Sequence, residues 1–213
     1  FLFGSLRNSG YRGINPERSI IQPGRFLKGK VDYFSSTHER SHILCAFGMS
    51  MLPRGTPFYA LVWEGAIGAF YEIDSEFNIT LLGDVLNQPG HRYGMLYGLA
   101  DPTFPKDGPY PRHNDAGKLM ALASFSNRSE PTAEETKLLR FLLDGPYRKL
   151  SDYEEIGNAP HLNVGLDDPE FRNFAGIYSD AIFDAFYQFA RANMRQGLPL
   201  VIAGGSVRSS GRQ

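Results

Sequence analysis

The sequence predicts an α/β layered domain. Three strand-like apolar runs lie close together at residues 57–63, 67–73 and 79–82, and the short turns between them favour an antiparallel meander. Long helical patterns follow, and residues 198–203 are a last strand candidate that ends in a Gly-Gly turn. Amphipathic helices that follow the strands of a sheet pack against its faces, which is the α/β arrangement.

The first 30 residues predict little regular structure. Residues 4–30 are rich in Gly, Pro, Arg and Ser, which is typical of loops. Six basic residues stand against one acid, Glu17, within residues 1–31. We therefore expect an irregular basic arm over 1–30 and a folded domain over 31–213, with a solvated arm favoured over a phosphate-binding one.

A strand candidate at residues 31–34 leads into the first predicted helix. Ser36 and Glu39 have the spacing of a capping box, in which the Glu side chain reaches back to the amide of the cap residue. Pro53 and Gly55 are expected to end the helix. Its predicted apolar face contains Ile43, Leu44, Phe47 and Met51.

The later part of the chain predicts further helices. Residues 91–143 read as helices broken by a Pro- and Gly-rich loop at 101–112. In the last helix, Asp168 can cap the start, Pro169 suits the first turn and Gly197 fits just past the end. Its regularly spaced apolar side chains predict a buried face rather than a cofactor site. They are Phe171, Phe174, Tyr178, Ala181, Ile182, Ala185, Phe186 and Phe189.

The composition is that of an ordinary globular protein. Of its 213 residues, 42% are hydrophobic and 21% are charged, and the net charge of −1 argues against nucleic acid as a partner. No stretch approaches the length of a membrane span. The single cysteine, Cys45, excludes an internal disulfide and is expected to be a small core residue in a reducing, cytoplasmic setting.

His38 and His42 are candidate metal ligands. Residues four apart share one face of a helix, so both rings can point at one ion. Imidazole suits iron, zinc, manganese and nickel, and Glu64 is the candidate acidic ligand because it follows a buried strand at a turn. Two alternatives stay open. The histidines can be surface residues of a core helix, or, with Glu39, a zinc-protease motif that lacks the usual downstream ligand.

Glycine turns supply candidate phosphate contacts. Gly65 follows Glu64, and Gly204-Gly205 follows the last strand, where open backbone amides can approach an oxyanion or a nucleotide. Lys118 can reach a phosphate, or it can be an exposed lysine of an amphipathic helix. The chain has neither a Walker A pattern nor Gly-x-Gly-x-x-Gly, which disfavours a P-loop or Rossmann protein.

The order of these motifs resembles the O-carbamoyltransferase family, which includes nodulation and antibiotic-tailoring enzymes. Members carry a His-x-x-x-His helix, a strand that ends in an acidic residue and Gly, a Lys-Leu-Met-Gly-Leu-Ala-like segment, and a long helix before a strand that ends in Ala-Gly-Gly. The matching segments here are residues 38–42, 62–65, 118–123 and 202–205. Residues 34–42 are most similar to the branch that acts on hydroxymethyl-cephem antibiotics, and the resemblance covers about residues 31–205.

The resemblance implies an actin-like ATPase fold for part of a carbamoyltransferase domain over 31–213, related to the tRNA threonylcarbamoyl transferases. It also implies an ATP-dependent reaction. Carbamoyl phosphate is activated to carbamoyl adenylate in an accompanying domain, and the carbamoyl group then passes to a hydroxyl of a small, antibiotic-like molecule. The implied cofactors are ATP and a divalent metal, with iron(II) ahead of manganese, zinc or magnesium.

By matching positions, His38 and His42 would be the metal ligands that support catalysis, with Glu64 in place of the usual Asp. The implied nucleotide-binding residues are Gly65, Lys118, Gly204 and Gly205. Three features of the family have no counterpart in the sequence. They are the opening strand with its phosphate loop, the last metal-binding Asp and the adenylate-forming domain. We therefore expect an internal piece of a longer polypeptide that lacks full activity by itself.

Two other functions stay open on the sequence alone. One is a tRNA-modifying relative that shares the fold and the His pair, although a near-neutral charge argues against it. The other is a non-catalytic lobe that binds metal or nucleotide. Metal titration separates the enzyme from the non-catalytic lobe.

Overall fold

The computed structural model describes residues 10–108, 111–112 and 114–205. The contacts divide the chain into two compact units. Within the described residues, the first unit comprises residues 10–62, 70–83 and 195–204. The second unit comprises the described residues of 63–69, 84–194 and 205.

The first unit begins with a β-hairpin where the sequence predicted loop. Strand β1 (Ile20–Phe26) pairs antiparallel with β2 (Gly29–Ser35), and Leu27 has a φ of 54° in the turn between them. Pro23 and Gly24 are turn signals in sequence, but an edge strand accommodates a residue that cannot donate a hydrogen bond. The expectation of a loop over 4–30 is therefore wrong for β1, and its residues 4–9 lie outside the described part of the chain.

Helix α1 (His38–Met49) follows β2 and differs from the prediction in its cap and at its end, because Met51 of the predicted apolar face lies beyond the helix and is exposed. Thr37, not Ser36, is the cap residue, and its hydroxyl accepts a hydrogen bond from the Arg40 amide at 3.3 Å. The helix buries Ile43 and Ala46 on its inner face. Cys45 lies about 200° around the helix from Ile43 and is exposed, so the expectation of a core cysteine is wrong.

Most of a four-stranded sheet belongs to the first unit. It consists of β3 (Phe58–Trp63), β4 (Gly68–Ile73), β5 (Ile79–Asp84) and β6 (Leu200–Ala203), in the order β5-β4-β3-β6. The four residues between β3 and β4 are too few for a crossover, so these neighbours run antiparallel. Strand β6 pairs parallel with β3, with Tyr59 opposite Leu200. The mixed sheet and its flanking helices confirm the predicted α/β class.

The second unit is helical, as the sequence predicted. It contains α2 (Pro89–Ala100), α3 (Asp115–Leu122), α4 (Ala133–Leu143) and α5 (Pro169–Asn193). Helix α2 is buried almost along its whole length. The segment between α2 and α3 lacks regular structure within its described residues, in agreement with the predicted loop.

Helix α5 begins as predicted, but it ends at Asn193 with Met194 as its cap residue, so Gly197 lies in the following turn and not directly past the helix. The Asp168 carboxylate accepts a hydrogen bond from the Phe171 amide at 2.7 Å, and Gly197 has a φ of 93° beyond the helix end. The buried face contains Phe171, Phe174, Tyr178, Ile182 and Phe186, whereas Ala185 is exposed. Within the described residues, no helix combines the length and apolar character that crossing a membrane requires.

Candidate functional site

The two histidines of α1 point their rings at one another. His38 is the first residue of the helix, and His42 follows one turn later. Their Nε2 atoms are 2.9 Å apart, and the ring planes lie at 83° with centroids 4.5 Å apart. This separation is also that of a hydrogen bond, in which the tautomers of the two rings decide which Nε2 donates and which accepts. Two solvent-accessible imidazole nitrogens that converge on one point fit two ligands of a divalent transition metal.

Glu39, the residue between the histidines, faces the interior. Its side chain is 4% exposed. The carboxylate accepts hydrogen bonds from the Gly13 amide at 2.6 Å and from the Tyr71 hydroxyl, and the Arg12 guanidinium lies 3.5 Å away. A zinc-protease base faces the substrate side of its metal, so this buried, multiply bonded carboxylate disfavours the protease interpretation.

The Glu64-Gly65 turn lies in the second unit, directly after β3. Glu64 is half-buried, and its amide donates to the Ile67 carbonyl at 2.8 Å, which closes the turn. The turn packs against the start of α2, because the amides of Gly90 and His91 donate to the carbonyls of Glu64 and Gly65 at 3.3 Å. Glu64 as a third metal ligand stays a prediction.

Gly65 and Gly205 lie together in one pocket of the second unit. The pocket has a volume of about 220 Å³. Its lining residues are Gly65, Gly90, His91, Pro111, Arg112, Ala116, Gly117, Met120 and Gly205. Four of them are glycines, so much of the wall is bare backbone. Gly204, the preceding residue, belongs to the first unit and has a φ of 121°, a conformation that favours glycine.

Lys118, the fourth predicted nucleotide contact, is engaged in an ion pair. Its ammonium lies 3.2 Å from the Asp115 carboxylate and 5.2 Å from the centre of the Tyr97 ring. The Asp115 side chain is completely buried. The neighbour of Lys118, Gly117, lines the pocket instead. A nucleotide-binding role for Lys118 stays a prediction.

Two polar residues of the pocket had no predicted role. His91 has its Nδ1 atom 2.8 Å from the Gln88 side-chain oxygen. The Arg112 guanidinium donates to Asp115 at 2.9 Å and also to Asp101, and these two hydrogen bonds raise the pKa of Arg112. Neither residue belongs to a sequence motif. Pro89 at the start of α2 indicates a helix start beside His91, but no sequence signal marks the His91 side chain as part of a pocket.

Comparison with known proteins confirms the family resemblance. No protein-family model matches the chain. It is 41% identical over 201 residues to a 3'-hydroxymethylcephem-O-carbamoyltransferase of Amycolatopsis lactamdurans, and 39% identical over 199 residues to one of Streptomyces clavuligerus. These alignments cover 94% and 92% of this chain. The chain spans only 38% and 37% of the length of those relatives.

Proposed function

We propose that this relative of the hydroxymethyl-cephem O-carbamoyltransferases is part of an ATP-dependent O-carbamoyltransferase. The enzyme would transfer a carbamoyl group from carbamoyl phosphate, by way of carbamoyl adenylate, to a hydroxyl of a small, antibiotic-like acceptor. The observation that carries the proposal is the 41% identity to a named carbamoyltransferase across nearly the whole chain. Because ATP is a reactant, the proposal includes a cytoplasmic setting.

His38 and His42 would hold the divalent metal through their Nε2 atoms. Their convergence in α1 supports this role, since the two nitrogens are already brought to one point. Glu64, at the position of the family's Asp, is proposed as the third ligand, with one more methylene in its side chain. Iron(II) is proposed ahead of manganese, zinc or magnesium. The bound cation would supply charge that offsets negative charge at the reacting carbonyl.

The glycine-lined pocket would receive part of the nucleotide. Gly65 and Gly205 leave the backbone open to a close approach by a phosphate or a base. Drug-sized ligands fill pockets of roughly 300–1,000 Å³, so a pocket of about 220 Å³ suits a portion of ATP rather than the whole molecule. Gly204 and Lys118 are proposed as further contacts, and the remaining domains of the polypeptide would supply the adenylate-forming step.

A carbamoyl-transfer assay tests the proposal on the full-length protein that contains this chain. The reaction contains ATP, carbamoyl phosphate and a hydroxymethyl cephem, and the carbamoylated product is quantified by mass spectrometry. We expect product from the wild type and a loss of at least about 100-fold in rate with His38→Ala plus His42→Ala, since metal ligands support the transition state.

Gly48→Ala is the matched control, because it lies on the same helix and its added methyl group meets no atom within 4 Å. Product from the double variant at the wild-type rate would contradict the catalytic role of the pair. Absence of product from the wild type, together with retained metal or nucleotide binding, would favour the non-catalytic lobe.

A further inference from the structure

The segment of residues 10–13 lies across the start of α1. The first amides of a helix have no partner within the helix and need acceptors from elsewhere. Here the His38 amide donates to the Gly10 carbonyl at 3.1 Å, and the Glu39 amide donates to the Tyr11 carbonyl at 3.2 Å. The segment therefore takes the place of acceptors that water would otherwise supply.

Glu39 fixes this segment from the inside of the first unit. Its buried carboxylate accepts the Gly13 amide at 2.6 Å and is bonded on its other side by the Tyr71 hydroxyl. Thr37 also donates its hydroxyl hydrogen to the Gly13 carbonyl. Hydrogen bonds to a buried carboxylate are among the stronger ones in proteins. The backbone beside Tyr11 is therefore held in one position relative to α1.

The fixed backbone at Tyr11 places the Tyr11 ring against the His38 ring. Tyr11 lies flat on the His38 imidazole, with the ring centroids 4.3 Å apart and the planes at 13°. The outer torsion of a histidine side chain is broad and is not fixed by the side chain itself. A ring that lies against one face of the imidazole restricts this torsion. The edge that carries Nε2 is then kept directed at His42.

We propose that Tyr11 is a positioning residue for His38 in its role as a metal ligand. Tyr11 sets the orientation of the imidazole, and Glu39, through the segment of residues 10–13, sets the place of Tyr11. Groups that orient a ligand without touching the metal commonly change metal affinity by 10- to 100-fold. This inference rests on the proposed function, because it takes the His pair to be part of a metal site.

Titration of the full-length protein with cobalt(II) tests the inference. Calorimetry gives the affinity, and the visible absorption spectrum of the bound cobalt reports on its ligand geometry. We expect Tyr11→Ala to weaken cobalt binding by about 10-fold and to change the spectrum. Tyr11→Phe keeps the ring and should bind as the wild type does. Tyr11→Leu keeps apolar bulk without the flat ring and should bind as weakly as Tyr11→Ala, which gives a second measurement if the alanine variant does not fold.

The outcomes separate the two proposals. If the wild type binds no cobalt, both the metal site and the role of Tyr11 are overturned. If the wild type binds cobalt and the Ala and Leu variants bind it as tightly, only the role of Tyr11 is overturned. A phenylalanine variant as weak as the leucine variant would also overturn it, because the stack would then not be the cause. In metal-free protein, the ring-proton resonances of His38 should shift with Tyr11→Leu and not with Tyr11→Phe; equal shifts contradict the stack.

Discussion

The hydroxyl of Tyr71 donates a hydrogen bond to the carboxylate of Glu39, the residue that follows the first histidine of the pair. Tyr71 is fully buried in β4, and Glu39 is buried in α1. The contact therefore joins strand β4 of the four-stranded sheet to the helix that carries His38 and His42. The sequence predicts Glu39 as a capping residue or, in the protease interpretation, as a catalytic residue. In the structure it links α1 to β4 and to the segment of residues 10–13.

Removal of the Tyr71 hydroxyl should destabilise the protein. In Tyr71→Phe, the buried Glu39 carboxylate loses one donor, and hydrogen bonds to charged groups contribute about 1.5–3 kcal/mol. We expect the free energy of unfolding to fall by about that amount in urea denaturation. Tyr187→Phe is the matched control, since Tyr187 is 48% exposed and its change should stay within about 0.5 kcal/mol. An unchanged urea midpoint for Tyr71→Phe would show that the contact contributes little.

A second buried carboxylate should make stability depend on pH. Burial raises the pKa of Glu135, but hydrogen bonds from the Thr132 amide and from His161, 2.6 Å away, outweigh burial and lower it below its ordinary value of 4.5. A lowered pKa contributes stability above the ordinary pKa, and this contribution is lost as the pH falls through the lower, folded-state pKa.

Glu135→Gln should therefore flatten the loss of stability as the pH falls below about 4.5, measured by urea unfolding across a pH series. A glutamine at this position can still cap α4, so the helix should persist. Glu134→Gln, in the same turn and exposed, should leave the pH dependence as in the wild type. Parallel pH profiles for Glu135→Gln and the wild type would contradict the expectation.

Close packing at the start of α2 should make Gly90 sensitive to substitution. A Cβ atom at Gly90 would lie 2.7 Å from the Gly65 Cα and 3.1 Å from its nitrogen, and both are backbone atoms that cannot turn aside. We expect Gly90→Ala to lower the free energy of unfolding by about 1–3 kcal/mol and to weaken ATP binding, measured by calorimetry. Gly48→Ala is the control, because a Cβ atom at Gly48 would have no neighbour within 4 Å. This variant should raise the free energy of unfolding by about 0.5–1 kcal/mol without changing ATP binding. If Gly90→Ala has the stability and the ATP affinity of the wild type, the Glu64-Gly65 turn can move away from α2, and the expectation is wrong.

The sequence predicted those elements whose patterns are strong and local. The helical spacing of α5, the apolar run of β3 and the strand before Gly204 all correspond to elements in the structure. Strand β1 was missed because Pro23 and Gly24 act as turn signals unless the strand has a free edge. Cys45 was misplaced because an apolar run does not say which side of a helix is buried.

The candidate site was predictable only where its residues form a motif. His38 and His42 are spaced by one helical turn, and the structure brings their Nε2 atoms together. Tyr11 and His91 depend on contacts between segments far apart in sequence, which no spacing rule records. The actin-like assignment comes from family resemblance and stays a prediction. Glu64 as a ligand also stays a prediction, made from its position after a buried strand and supported by the resemblance.

Metal binding by the full-length protein tests the central claim most directly. Anaerobic calorimetric titration with iron(II) should show a single bound equivalent for the wild type and for Gly48→Ala. The double variant His38→Ala, His42→Ala should show no binding at the same protein concentration, because removal of two ligands leaves too few to hold the ion. Binding of iron(II) by the double variant as tight as that of the wild type, or no binding by the wild type, would contradict the account.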